Sequence, residues 1–263
     1  MKIKEIISAL EMFAPLPLQD GFDNAGLQVG LTDAEATGAL LCLDVTEAVV
    51  EEAVALGLNL IISHHPLMFR GYKSITGKDY TERCIMTAIK NEIVIYSMHT
   101  NLDNAPNGVN FKIAKKIGLK NVKVLNPKEY MSQGEWSGAG VVGELEEPQT
   151  ELEFLKMVKK TFEVGCVKYS KLTGRLISKV ALCGGAGAFL LPDAVKGHAD
   201  VFITGEVKYH DYFYYDNDIL VAEIGHYESE QYTKEIFKDI LEKNFPGLEV
   251  QMTRVNTNPV KYL

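Results

Sequence analysis

A chain of 263 residues with 46% apolar and 24% charged side chains has the balance of a globular protein, with room for one large core or two smaller ones. Its net charge of −8 argues against broad binding of nucleic acid, which needs lysines and arginines to neutralise phosphates. No apolar run reaches the roughly 20 residues of a membrane span, and residues 1–5 lead into an amphipathic helix rather than a leader, so the cytoplasm is the expected compartment.

Taken in chain order, the periodicity predicts a helix over Ile3–Phe13 that stops before Pro15, and then a strand at residues 39–44. A helix over Glu47–Leu56 and a strand at residues 59–62 come next. A helix at 81–91, a strand at 93–98, a helix over Val109–Ile117 and a strand at 121–125 follow. Helices alternating with buried, β-rich runs predict an α/β fold with largely parallel sheets and flanking helices. Cys42, Cys84, Cys166 and Cys183 form no C-x-x-C pair, which argues against a zinc ribbon or a disulfide framework.

The second half echoes the first. The offset that carries Cys42 onto Cys183 also carries Ala53-Val54 onto Ala194-Val195, and Leu60-Ile61-Ile62-Ser63 onto Val201-Phe202-Ile203-Thr204. A second, shorter offset places Ile93-Val94-Ile95 on Leu220-Val221-Ala222 and His99 on His226. Because both echoes fall in the same order, an internal duplication is the favoured reading, although shared α/β grammar can produce such matches. The seam is expected between the strand at 121–125 and the next strand-like run at 137–142, where Asn126-Pro127-Lys128 and Gln133-Gly134 supply turn chemistry. This divides the chain into lobes 1–127 and 128–263. Each lobe has a similar topology, and the cleft between them is a natural place for a ligand.

Chemistry-bearing residues gather where strands run out. Ile61-Ile62-Ser63-His64-His65-Pro66 ends an apolar run in two of the chain's six histidines. In an open α/β sheet, ligands sit at such strand ends, and paired neutral imidazoles suit a transition metal. An isolated His-His pair is more often a polar loop feature than a metal site. His99 and Asp103 follow the strand at 93–98 and so fall at the same sheet edge. Asp103 offers a carboxylate ligand or, more plainly, a helix cap. In Gly225-His226-Tyr227-Glu228-Ser229-Glu230, a helix beginning near Tyr227 sets His226 and Glu230 on one face, four residues apart. Glu228 then points elsewhere, as solvated charge. Three imidazoles and two carboxylates (His64, His65, His226, Asp103 and Glu230) exceed what one tetrahedral zinc takes and suit two divalent metals, which together can polarise a substrate oxygen and activate water. Imidazole and carboxylate do not choose sharply among Zn, Mn and Fe, while several imidazoles disfavour Mg. Gly184-Gly185-Ala186-Gly187 reads as either a tight strand-to-helix turn or a phosphate cradle, and no G-x-x-x-x-G-K-[ST] loop is present.

With these motifs, and with Asp23-Asn24-Ala25-Gly26-Leu27-Gln28-Val29-Gly30 and Thr204-Gly205-Glu206 followed by His210, the whole chain resembles the Nif-three-like family. That family is widely named for GTP cyclohydrolase 1 type 2 homologues. The resemblance implies two α/β lobes, a dinuclear metal site between them formed by His64, His65, Asp103, His226 and Glu230, and a ring-shaped homohexamer. This chain matches the short form without the central insertion. Phe22 stands where the family usually has Trp, one aromatic for another, so retained packing is expected. His99 is the leading candidate for acid–base catalysis, ahead of His210 and Glu206. The leading functional expectation is a metal-dependent hydrolase acting on a nucleotide or related small molecule. The competing class is a non-catalytic metal chaperone or an interaction protein.

Overall fold

The computed structural model describes every residue except Ser132, Gln133 and Asp216, so Gln133, one of the expected seam turn residues, lies outside the described residues. In chain order the first elements are α1 (Ile3–Phe13), β1 (Gly26–Val29), β2 (Ala39–Cys42), α2 (Glu47–Leu56), β3 (Leu60–Ser63), α3 (Tyr80–Lys90) and β4 (Val94–Ser97). Then come α4 (Thr100–Asn104), α5 (Val109–Ile117), β5 (Lys120–Tyr130), β6 (Trp136–Thr150), α6 (Glu151–Thr161), β7 (Lys168–Tyr169) and β8 (Leu176–Cys183). The remainder is α7 (Leu191–Lys196), β9 (Val201–Thr204), α8 (Asp211–Tyr214), β10 (Leu220–Glu223), α9 (His226–Glu230), α10 (Thr233–Asn244) and β11 (Val250–Met252).

Local chemistry accounts for these bounds. Helix α1 buries Ile3, Ile6, Ile7 and Leu10, the one-face spacing of an amphipathic helix, and Ala14 turns extended ahead of Pro15. Helix α2 starts where the Thr46 hydroxyl accepts from Val49 N–H, and it ends at Gly57 in the left-handed region. Strands β2, β3 and β4 are buried along their whole length, which is why they read as continuous apolar runs rather than alternating ones.

The chain divides into two compact units, one of Met1–Leu102 with Thr233–Pro259 and the other of Asp103–Tyr232 with Val260–Leu263. The first holds a five-stranded sheet in the order β1-β4-β3-β2-β11, parallel except for β1. The second holds a six-stranded sheet in the order β5-β6-β8-β9-β10-β7, in which β8-β9-β10 are parallel and β5, β6 and β7 add antiparallel pairings. These units differ from the expected lobes 1–127 and 128–263. The expected seam falls inside an antiparallel pair, β5 with β6, whose ladder ties residues 120–130 to the second sheet. Near the C-terminus, β11 returns to pair with β2 of the first sheet. Gly134, at φ +84°, supplies the turn chemistry expected there, but within a sheet rather than between two.

Both units contain the same parallel core of three successive strands, β2-β3-β4 and β8-β9-β10. Registers align Ala39 with Leu60 and Leu60 with Val94, and correspondingly Val180 with Val201 and Val201 with Leu220. The first echo offset is therefore kept. The second shifts by one residue, because Val94 corresponds to Leu220 rather than to Val221. By sheet register His99 matches Gly225, and His226 follows one residue later.

The segment after His64-His65 is pinned by one buried carboxylate. Glu82 on α3 accepts from Thr76 N–H, Thr76 Oγ1 and Lys78 N–H at 2.8–3.1 Å, and its other oxygen pairs with Lys78 Nζ at 3.2 Å. Burial raises the carboxyl's pKa, but these donors outweigh it and bring it down to about 2. A depressed folded-state pKa stabilises the fold above the unfolded value of 4.5, and the effect is lost as pH falls toward 2. Glu82→Gln should therefore lower Tm at neutral pH, with the gap to the parent protein closing between pH 4.5 and 2. A gap unchanged across that range refutes this role.

Candidate functional site

In the first unit, β3 ends at Ser63, and the backbone then turns. His64 N–H donates to Cys42 O and Leu43 O at 3.3 and 3.2 Å, and His65 N–H donates to Leu43 O at 3.0 Å. The Ser63 hydroxyl, 2.7 Å from Ser97 Oγ on β4, also bonds the His65 carbonyl at 2.9 Å. The turn frees two neighbouring side chains from strand alternation, and the two rings stand 4.9 Å apart, centroid to centroid. The His99 ring lies 5.3 Å from that of His64 and 5.4 Å from that of His65. One ring nitrogen of each of these three histidines lies within 4.8 Å of the others, so His99 belongs to a three-imidazole cluster in which a metal ion could be held.

Each ring is fixed at Nδ1. His64 Nδ1 lies 2.8 Å from Met98 O, a carbonyl that can only accept, so the proton sits on Nδ1 and Nε2 carries the lone pair. His65 Nδ1 lies 2.7 Å from Asp44 Oδ1, whose second oxygen accepts from Thr257 Oγ1 at 2.6 Å. His99 Nδ1 lies 2.7 Å from Asp23 Oδ1, and Asp23 Oδ2 accepts from Thr100 N–H and Thr100 Oγ1 at 3.0 and 2.5 Å. Burial pushes both carboxyls up, but hydrogen bonds from His65 and Thr257 hold Asp44 below the usual range. Those from His99 and Thr100 bring Asp23 to about 2. Both stay ionised and favour imidazoles protonated at Nδ1.

The second unit carries the other predicted residues. His226 opens α9 and Glu230 closes it, with Nε2 and Oε2 3.0 Å apart across one turn, as the spacing predicts. His226 Nδ1 lies 2.7 Å from Glu206 Oε1. Glu230 is buried, and its carboxylate fills the space over Gly185, where a Cβ would collide with Oε1. Gly185 also takes φ +60°. The Ser229 hydroxyl accepts from Gly185 N–H at 3.0 Å and donates to His226 O at 2.8 Å, tying the glycine turn to α9. Asp103 lies in α4, half-buried, and its carbonyl accepts from Asn110 Nδ2 at 3.0 Å.

Of the two readings of Gly184–Gly187 the tight turn holds, because the N–H groups of Gly184, Gly185 and Gly187 donate to Asn110 Oδ1, Ser229 Oγ and Thr204 Oγ1. Two expectations change. Glu228 is not solvated: it is only 8% exposed, and its carboxylate packs where a Cβ on Gly225 would sit. Phe22 is 74% exposed, so this aromatic does not pack inward. His210 stands exposed against Tyr209, 5.3 Å between ring centroids, whereas Glu206 orients His226. Sequence reasoning missed Asp44. Its signal is an acid two residues past the end of β2, at the strand edge where His64 and His65 follow β3.

An imidazole presenting Nε2 while a carboxylate or carbonyl holds Nδ1–H is the arrangement metal-binding histidines take. The donor set, in chemistry and orientation, fits a divalent transition metal. Asp44→Asn and Glu206→Gln should each weaken zinc binding by about 10- to 100-fold in calorimetry while leaving circular dichroism unchanged. Unaltered affinity in both variants would contradict the orienting role.

Residues 1–259 match the family model described as Duf34/NIF3 (NGG1p interacting factor 3). A Clostridium perfringens protein named GTP cyclohydrolase 1 type 2 homolog is 37% identical over 231 residues, 88% of this chain and 87% of its own. A Lactococcus lactis protein of the same name is 33% identical over 98% of both chains. The crystal structure of the Staphylococcus aureus hypothetical protein SA1388 is similar, with a TM-score of 0.90 and 30% identity over 100% of this chain and 99% of that one. Matched across nearly its whole length in sequence and in fold, the chain belongs to the Duf34/NIF3 family.

Proposed function

We propose that the protein is a dinuclear metal-dependent hydrolase acting on a nucleotide or related small molecule. His64, His65, Asp103, His226 and Glu230 would hold two divalent ions, Zn, Mn or Fe. The observation that carries this reading is the anchoring of His64, His65 and His226 at Nδ1 by oxygen acceptors, with His226 Nε2 placed 3.0 Å from Glu230 Oε2, so that two proposed ligand atoms stand together. The nucleotide rests on the name shared by the relatives, GTP cyclohydrolase 1 type 2 homolog.

Bound metal would supply Lewis acidity toward a substrate oxygen and an attacking water. The chain's own residues do the rest. His99, with its proton on Nδ1 against Asp23, accepts a proton from the attacking water at Nε2, and the ionised Asp23 stabilises the resulting imidazolium. Glu206 and Asp44 hold His226 and His65 in the ligand orientation. Among the described residues no helix is long and apolar enough to cross a membrane, and the four cysteines are free thiols, which suits a reducing compartment such as the cytoplasm. The homohexamer rests on the family resemblance, and light scattering checks it.

Glu230→Ala should lose both bound metal, by elemental analysis, and turnover across a panel of nucleotides and related metabolites screened with Zn, Mn, Fe and Mg. Full turnover by protein shown to be metal-free sinks the hydrolase reading. Metal exchange or partner capture with no turnover on any panel member favours the non-catalytic alternative, to which the family's description as an interacting factor also points.

A further inference from the structure

A cavity of about 660 Å³ opens in the second unit at the C-terminal ends of its parallel strands. It is bounded by Ala186 beyond β8, by Glu206 beyond β9 and by Glu223, the last residue of β10. Ligands of open α/β sheets bind at that edge. Two features of the lining decide what fits.

The first is flat apolar surface. Phe189, Tyr214 and Tyr215 line the cavity, and Phe189 and Tyr214 are 62% and 73% exposed. Large rings left in water on the walls of a concavity recover burial when a planar ligand stacks on them. The second is charge. Glu206, Asp211 and Glu223 face the cavity, with Lys208 as the one lining cation among the described residues, so the described wall is net negative and rich in acceptors. Glu223 is buried and held by Lys168 Nζ and, at 2.9 Å, by the Tyr212 hydroxyl, which makes it a rigid acceptor. Such a wall repels phosphate and accepts hydrogen bonds from ring N–H and amino groups. Glu206 is also the carboxylate that orients His226, so a ligand in this cavity sits one side chain away from a proposed metal ligand.

We propose that this cavity binds a planar, amino-bearing heterocycle by stacking on Phe189 and Tyr214 while Asp211 and Glu223 accept from its amino and ring N–H groups. The phosphates of a nucleotide are left outside it. The assignment deepens the nucleotide-hydrolase reading and rests on it for the substrate's reaction, but the binding itself needs no metal.

The test uses 2-aminopurine riboside, whose fluorescence is quenched on stacking, against the full-length protein as purified. Saturable quenching is expected. Purine riboside, which lacks the amino group, should compete about tenfold more weakly, since a carboxylate that has lost its donor partner discriminates at about that level. Inorganic tripolyphosphate should not compete. Tyr214→Leu, an exposed position whose loss the fold tolerates, should abolish the quench, and Asp211→Asn should remove the preference for the amino compound. Quenching unchanged in both variants, or competition by tripolyphosphate, overturns the proposal. Repeating the titration on Glu230→Ala separates the two readings: retained quenching without turnover leaves the cavity assignment standing whatever becomes of the hydrolase.

Discussion

Four histidines, each with Nδ1 held by an oxygen acceptor, form the constraint on which the chemistry of this fold depends. A neutral imidazole is donor at one nitrogen and acceptor at the other, so fixing one fixes both. Met98 O, Asp44, Asp23 and Glu206 hold Nδ1 of His64, His65, His99 and His226, which leaves Nε2 with the lone pair in the first three, whereas Nε2 of His226 lies 3.0 Å from Glu230 Oε2. The rings cannot rotate away without breaking a bond to an acceptor, and two of the acceptors are themselves anchored. Asp44 is tied to Thr257 near the C-terminus, and Asp23 to the first residue of α4.

Those anchors depend on the sheets. Strands β2, β3 and β4 end together in parallel register, with Cys42, Ser63 and Ser97 side by side, so the residues just beyond them, Asp44, His64, His65 and Met98, emerge at one edge. The second unit repeats the device with Cys183, Thr204 and Glu223, and the residues past those ends include Gly185, Glu206 and His226. The two edges are used differently. The first gathers imidazoles, whereas the second spends its glycine turn on accommodating Glu230 and bonding Ser229. A Cβ at Gly185 would displace the Glu230 carboxylate, so that turn is shaped by the carboxylate rather than by an anion from solution.

The duplication was legible in outline but not in register. Apolar identity locates the strand equivalent to β4 only to within a residue, because Ile93-Val94-Ile95 is hydrophobic at either alignment. Hydrogen-bond register has no such tolerance, and it moves His99 onto Gly225. The expected seam failed for a related reason. Turn residues such as Gly134 mark a change of direction without saying whether the strands on either side pair with each other. Here they do, which keeps residues 120–130 in the second sheet.

Hydrophobic periodicity, turn chemistry and motif spacing by themselves determined the α/β class, the bounds of α1, α2 and α5, the helical spacing of His226 with Glu230, and the candidate ligands. These are local properties that a few neighbouring residues settle. Only the tertiary structure decided which acceptor holds each imidazole, that Glu228 is buried, and that Gly184–Gly187 is a turn with its N–H groups already spent. Each depends on partners distant in the chain: Asp23 reaches His99 across 76 residues, and Thr257 reaches Asp44 across 213. Such pairings follow from strand register and chain return, which no local pattern encodes.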